Sequence, residues 1–95
     1  MLTLKLVFEC PEVSESILTD VFECLVHENE MIKQKVQEVR CQPGLVKVLM
    51  EFSINDDIKS AVNYVWRVAK VRLKRLGCDL KFYVGSVDSP ALLYQ

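Results

Sequence analysis

The stretch DDIKSAVNYVWRVAKVRLKRLG, residues 56–77, decides how the rest of the chain is read. Ile58, Ala61, Val62, Val65, Ala69, Leu73 and Leu76 recur at steps of three and four, which puts them along one side of a helix with about 3.6 residues per turn. Lys59, Asn63, Arg67, Lys70 and Lys74 make a second stripe, polar and cationic. Tyr64, Val68 and Val71, flanked by Arg75, make a third that is apolar again. Asn55, Asp56 and Asp57 offer acceptors for the first free N–H groups, and Gly77 is placed as a left-handed C-cap. Arg72, Lys74 and Arg75 fall in the last turns, where cations suit the helix dipole. One apolar stripe is enough to join a core. A second, beside a basic one, predicts a face covered by another molecule. Arg72 lies near the core stripe and must reach outward or find a partner, while Trp66 reads as core or core edge.

Working outward, Leu2, Leu4, Leu6 and Phe8 alternate with Thr3, Lys5 and Glu9, a strand with one buried face that Pro11 ends. Ile17, Leu18, Val21, Phe22, Leu25 and Val26 follow at helical spacing to about Glu28, with Asp20, Glu23 and His27 on the outer face. Lys33 to Gln42 reads as a second strand. Val36 falls out of phase with Val39 and Cys41, which predicts either a β-bulge near Gln37 or a weakly held edge. Pro43-Gly44 is a turn signal, and Leu45 to Ile54 alternates with Val46, Val48, Met50, Phe52 and Ile54 on one face, completing a hairpin. Leu80, Phe82 and Val84 mark a fourth strand. The order β-α-β-β-α-β predicts an α+β, ferredoxin-like fold: two helices on one face of a four-stranded antiparallel sheet. Residues 1–85 form the single domain and 86–95 a loose C-terminal tail.

Ninety-five residues, half of them apolar, suffice for one domain with one core. No apolar run approaches the roughly 20 residues of a membrane helix, and no secretory signal is visible, which predicts a cytoplasmic protein that engages no membrane. The four cysteines, Cys10, Cys24, Cys41 and Cys78, are widely and irregularly spaced, and His27 is the only histidine. That disfavours a zinc site and predicts free thiols in a reducing compartment. The net charge of −1 hides a split: seven acids and no bases between Glu9 and Glu30, then seven bases and one acid between Lys59 and Lys81. Two solvated faces of opposite sign would explain it. So would a bipolar molecule whose helices meet different partners, one of them a polyanion.

Catalytic chemistry is hard to assemble from these residues. His27 stands on an acidic face without a nucleophile motif, the acids form no convergent pair, and Gly44, Gly77 and Gly85 are isolated rather than part of a phosphate-cradling loop. An acylphosphatase-like activity needs an arginine in the first loop, and Cys10-Pro11-Glu12-Val13 has none. Base stacking on the sheet needs exposed aromatics, whereas the second face of the Leu45–Ile54 strand holds Lys47, Leu49, Glu51 and Ser53. That face suits another protein chain. The expectation is a non-enzyme with no metal and no cofactor. Its Lys59–Lys74 stripe could neutralise phosphates without reading sequence.

The segments Leu4-Lys5-Leu6-Val7-Phe8-Glu9-Cys10-Pro11 and Ile58-Lys59-Ser60-Ala61-Val62-Asn63-Tyr64-Val65-Trp66-Arg67-Val68-Ala69, with the hairpin between them, resemble a known family. It is the small dimerising subunit of the KEOPS complex, which installs threonylcarbamoyl on adenosine 37 of tRNA. The likeness covers roughly residues 2 to 77. Tyr64 stands where the family usually has a small residue, and the fourth strand extends beyond the family's minimal unit, which fits a divergent paralogue. The resemblance implies a non-catalytic subunit that forms a homo- or heterodimer with a like subunit through its sheet. It implies docking of the helices on the catalytic tRNA-modifying subunit through Tyr64, Val68, Val71 and Arg75. It implies tRNA contacts from Lys59, Arg67, Lys70 and Lys74. The edge strand Lys33–Gln42 and the half-apolar outer sheet face are the candidates for chain-to-chain pairing. The other function considered is an oligomeric ferredoxin-like regulatory domain that binds a small ligand between subunits.

Overall fold

A computed structural model of the chain describes residues 1–87. Seven elements follow in order: β1 (Leu2–Glu9), α1 (Glu15–His27), α2 (Glu30–Lys35), β2 (Val36–Gln42), β3 (Leu45–Phe52), α3 (Ile58–Lys74) and β4 (Lys81–Ser86). The architecture is α+β, with three helices and one four-stranded sheet in the order β2-β3-β1-β4, antiparallel throughout.

β1 is central, and its alternation fixes the register of both neighbours. Leu4, Leu6 and Phe8 oppose Met50, Val48 and Val46 of β3, and all six are buried on the face that carries the core. Leu18, Phe22 and Leu25 of α1 and Ala61, Val65, Ala69 and Leu73 of α3 close that core from the helical side. The rings of Phe8 and Phe22 meet at 4.9 Å with a 58° tilt, a favoured aromatic geometry. On the opposite sheet face Leu49 is also buried, with Lys5 and Glu38 as its register partners on either side.

The helix ends follow their sequence signals. Ser14 caps α1 by accepting from Ile17 N–H at 3.4 Å, and Asp57 caps α3 by accepting from Ser60 N–H at 3.1 Å. Gly77 adopts φ +83°, its N–H donates to Lys74 C=O at 3.0 Å, and Cys78 N–H donates to Leu73 C=O at 3.1 Å. That pair of bonds is a Schellman motif, and it satisfies two terminal carbonyls of α3.

Several expectations need correction. There are three helices rather than two, because Glu30–Lys35, including Lys33 to Lys35 of the expected second strand, form a short helix. Asn29 caps it by accepting from Ile32 N–H at 3.2 Å, and Ile32 is its one buried side chain. The expected bulge is present, as a register shift between Val36 and Glu38. β3 stops at Phe52, leaving Ile54 96% exposed, and Leu76 lies beyond the end of α3 and is 52% exposed rather than core. Cys10 and Cys78 are joined in a disulfide with their Cα atoms 5.9 Å apart, so only Cys24 and Cys41 are free thiols among the described residues. β4 runs to Ser86, one residue into the expected tail, and Val87 N–H donates to Thr3 C=O at 3.0 Å just beyond it. The remainder of the expected tail, residues 88–95, lies outside the described residues.

Gly44 and Gly77 both require positive φ, but their surroundings differ. A Cβ at Gly44 would stand 2.9 Å from Pro11 Cα, whereas a Cβ at Gly77 meets nothing within 4 Å. Gly44→Ala is expected to cost about 2–3 kcal/mol and Gly77→Ala about 1 kcal/mol in urea unfolding. Equal losses would show that the approach to Pro11 is not limiting. The Cys10–Cys78 bridge spans 68 residues, which in the chain-entropy account is worth about 4 kcal/mol. Reduction with a dithiol should lower Tm markedly in the native chain and leave a Cys10→Ala, Cys78→Ala variant unmoved. The same response in both would exclude a contribution from the bridge.

Candidate protein- and phosphate-binding surface

α3 presents different chemistry on each side because its buried residues recur at exactly every fourth position, a strip too narrow to use up the helix surface. Ala61, Val65, Ala69 and Leu73 take the core. Lys59, Arg67, Lys70 and Lys74 are all exposed, as the sequence implied. Tyr64 and Val68 are half-buried, and Val71 and Arg75 are exposed.

The structure brings the four expected partner residues together. Tyr64, Val68, Val71 and Arg75, joined by Arg67 and Arg72, line one concavity of about 450 Å³ on the outer flank of α3. A second hollow of about 400 Å³ continues it across to α1, lined by Asp20, Val21, Cys24, Arg72, Arg75 and Leu76. The two share Arg72 and Arg75, so they form one groove along the helix pair with an apolar floor and arginines on its rim.

The four expected phosphate contacts are not brought together in the same way. Arg67 belongs to this groove. Lys70 and Lys74 lie on the other flank, around a hollow of about 310 Å³ that they share with Gly77, Cys78, Asp79 and Leu80. Lys70 Nζ stands 5.4 Å from the centroid of Trp66, a cation–π contact, and Trp66 in turn stacks on Phe82 at 4.8 Å and 13°. Lys59 stands in the first turn of α3, away from both hollows. Trp66 is therefore half-buried at the core edge, and it holds one candidate lysine against the β4 side of the helix.

Arg72 does find a partner. Its guanidinium donates to Glu28, the C-cap residue of α1, and Glu28 also accepts from the Cys24 thiol at 3.0 Å. These two donors, Arg72 first, hold the Glu28 carboxyl below its ordinary range, against a smaller opposing effect of desolvation. The same contacts raise Arg72, and the hydrogen bond to Glu28 pushes the Cys24 thiol up, which makes it a poor nucleophile at neutral pH. Elsewhere Lys35 pairs with Asp56 at 2.8 Å and lowers its carboxyl, helped by Ser53 N–H. Ser60 lowers Asp57 through hydroxyl and backbone N–H.

Sequence reasoning missed the α1 half of the groove. Asp20 and Val21 were visible as outward and inward positions of one helix, but only the packing of α1 beside α3 makes Asp20, Val21 and Cys24 neighbours of Arg72 and Arg75. His27 Nδ1 lies 2.7 Å from Glu23 C=O at the surface. No group of three or more His, Cys, Asp or Glu side chains suited to a metal occurs among the described residues. No helix among them is long and apolar enough to cross a membrane. Compared with known families and characterised proteins, the chain matches no family model and no individual protein.

The depressed carboxylates set a pH dependence. A carboxyl whose folded value lies below its unfolded value contributes stability above the unfolded value and loses it as pH falls through the folded one. Stability should therefore hold from neutral pH to the ordinary carboxylate range and decline on further acidification, as pH falls through the lowered folded-state values. Glu28→Gln should show a shallower decline than the native chain in urea titrations. An identical acid slope would mean that the Arg72 pair does not set it.

Proposed function

We propose that this chain is a ferredoxin-like module with one added helix, serving as a non-catalytic subunit of a tRNA-modifying complex of the KEOPS type. In this reading it dimerises with a like subunit, docks on the catalytic subunit and helps to hold tRNA. The observation that carries the reading is the groove. Tyr64, Val68, Val71 and Arg75, singled out by the helix pattern and the family likeness, line a single concavity. A surface with half-buried aliphatic side chains and an aromatic, rimmed by arginine, has the composition of a protein interface. Lys70 and Lys74 lie on the opposite flank, where a phosphate backbone could be met without competing for that interface.

The regulatory-domain alternative has less support. The groove has the volume of a small-molecule site, but the described residues include no buried polar or charged side chain that could fix a ligand's orientation. Arg72 is already committed to Glu28.

Two variants test the proposal separately. Val68→Asp with Val71→Asp should abolish assembly with the catalytic tRNA-modifying subunit in a co-expression pull-down while leaving the circular dichroism unchanged. Retained assembly would remove the groove as the interface. Lys59→Glu, Lys70→Glu and Lys74→Glu together, all outside the groove, should weaken tRNA binding by the assembled complex and reduce its salt slope by up to about 3. Unchanged affinity and slope would remove the basic stripe from the reading.

A further inference from the structure

The two edges of the sheet are not equivalent. β2, at one edge, is interrupted by a register shift between Val36 and Glu38 and carries Glu38 and Arg40. Bulges and charges are the devices by which proteins discourage strand pairing at an edge. β4, at the other edge, pairs with β1 over six residues without a register shift, and from Phe82 to Ser86 it has no charge and no proline.

The hydrogen-bond phase of β4 can be read from its end. Val87 N–H donates to Thr3 C=O at 3.0 Å. Opposed positions in an antiparallel pair alternate between bonded and non-bonded, so Gly85, Tyr83 and Lys81 are the bonded partners of Lys5, Val7 and Glu9. The backbone N–H and C=O groups of Phe82, Val84 and Ser86 therefore point outward, to the edge where the sheet ends. Val84 opposes Leu6 and so lies on the core face, yet it is 45% exposed. A core-face valine left this open marks a sheet edge that the protomer's own helices do not cover.

We propose that β4 pairs antiparallel with β4 of a second copy of this chain, about a two-fold axis through Val84, making one continuous eight-stranded sheet. This strand is its own complement in that register. Phe82 opposes the second copy's Ser86 and Val84 opposes its own equivalent, so the outward groups close ~6 main-chain hydrogen bonds. Tyr83, 52% exposed, falls opposite the second copy's Gly85, where a Cβ would meet nothing within 4 Å. An aromatic laid across a strand glycine is a favoured cross-strand pair. The only charge on the strand, Lys81, stands six residues along from its equivalent, about 20 Å at ~3.4 Å per residue, beyond the ~10 Å screening length of moderate salt.

The inference rests on the dimerisation part of the reading above, moves the pairing edge from β2 to β4, and does not depend on tRNA. Light scattering should give twice the 10.9 kDa of one chain. Amide exchange should slow by about tenfold or more at Phe82, Val84 and Ser86 as the protein is concentrated, while Tyr83 and Gly85 stay protected throughout. Val84→Pro removes an N–H that the protomer's own sheet does not use, so it should give a folded monomer, and Val84→Lys should do the same by charge. A native chain that is monomeric at every concentration overturns both the pairing and the dimerisation it rests on. A dimer that survives Val84→Pro with Phe82, Val84 and Ser86 exchanging freely overturns the β4 edge alone. Protection of those three amides in a chain that light scattering finds monomeric also overturns the proposal.

Discussion

One end of the molecule is organised by the backbone contact between Cys10 and Gly44. Cys10 N–H donates to Gly44 C=O at 2.7 Å, and Gly44 N–H donates to Val13 C=O at 3.1 Å. The hairpin turn thereby closes on the loop that leaves β1, and the closeness of Gly44 to Pro11 leaves no room for a side chain. The same Cys10 is bridged to Cys78, whose N–H completes the C-terminal cap of α3. Three chain reversals far apart in sequence are thus fastened at one place. The last turns of α3, with Arg72 and Arg75 on one flank and Lys74 on the other, inherit their position from this junction.

Charge segregation has a structural consequence at the helix seam. Glu28 caps the C-terminus of α1, the negative end of that helix dipole, where a carboxylate is disfavoured. The Arg72 guanidinium offsets this and joins the acidic helix to the basic one. Arg75, by contrast, remains exposed beside Asp20 on the wall of the groove. The split in composition thus appears as one committed pair at the seam and a rim of opposite charges above an apolar floor. A partner helix with mixed charge would meet both signs there.

What could be read in advance depended on how one-sided the burial is. β1 and α3 each bury one face, and β3 does so except for Leu49, so alternation or four-residue spacing exposed both their type and most of their inward residues. α2 offers six residues and a single buried side chain, Ile32, too little for any period to show. The Cys10–Cys78 pairing could not be inferred from spacing, because it depends on the end of β1 meeting the end of α3. The groove was legible only on its α3 side, since helix adjacency is a tertiary fact. The exposure of Val84 was illegible for a related reason. Alternation marks it as inward, and only the limited width of the helical layer leaves it uncovered.

The two flanks of α3 point in opposite directions relative to the sheet, and this decides whether the proposed contacts are compatible. The groove flank leans toward α1, since Arg72 and Arg75 share a hollow with Asp20 and Cys24. The Lys70 and Lys74 flank leans toward β4, since Trp66 beneath Lys70 stacks on Phe82 and both lysines border Leu80. A two-fold axis at the β4 edge would place the lysine flanks of both copies on either side of it and leave the two grooves on the outside. Dimerisation would then join two weakly cationic surfaces into one longer strip, which binds a polyanion more tightly because the phosphates neutralised, and the counterions released, increase together. Pairing through the β2 edge would instead bring the acidic α1 helices toward the axis and leave the lysines at the far ends. The choice of edge therefore determines whether the two lysine flanks could meet a polyanion together or only as separate halves.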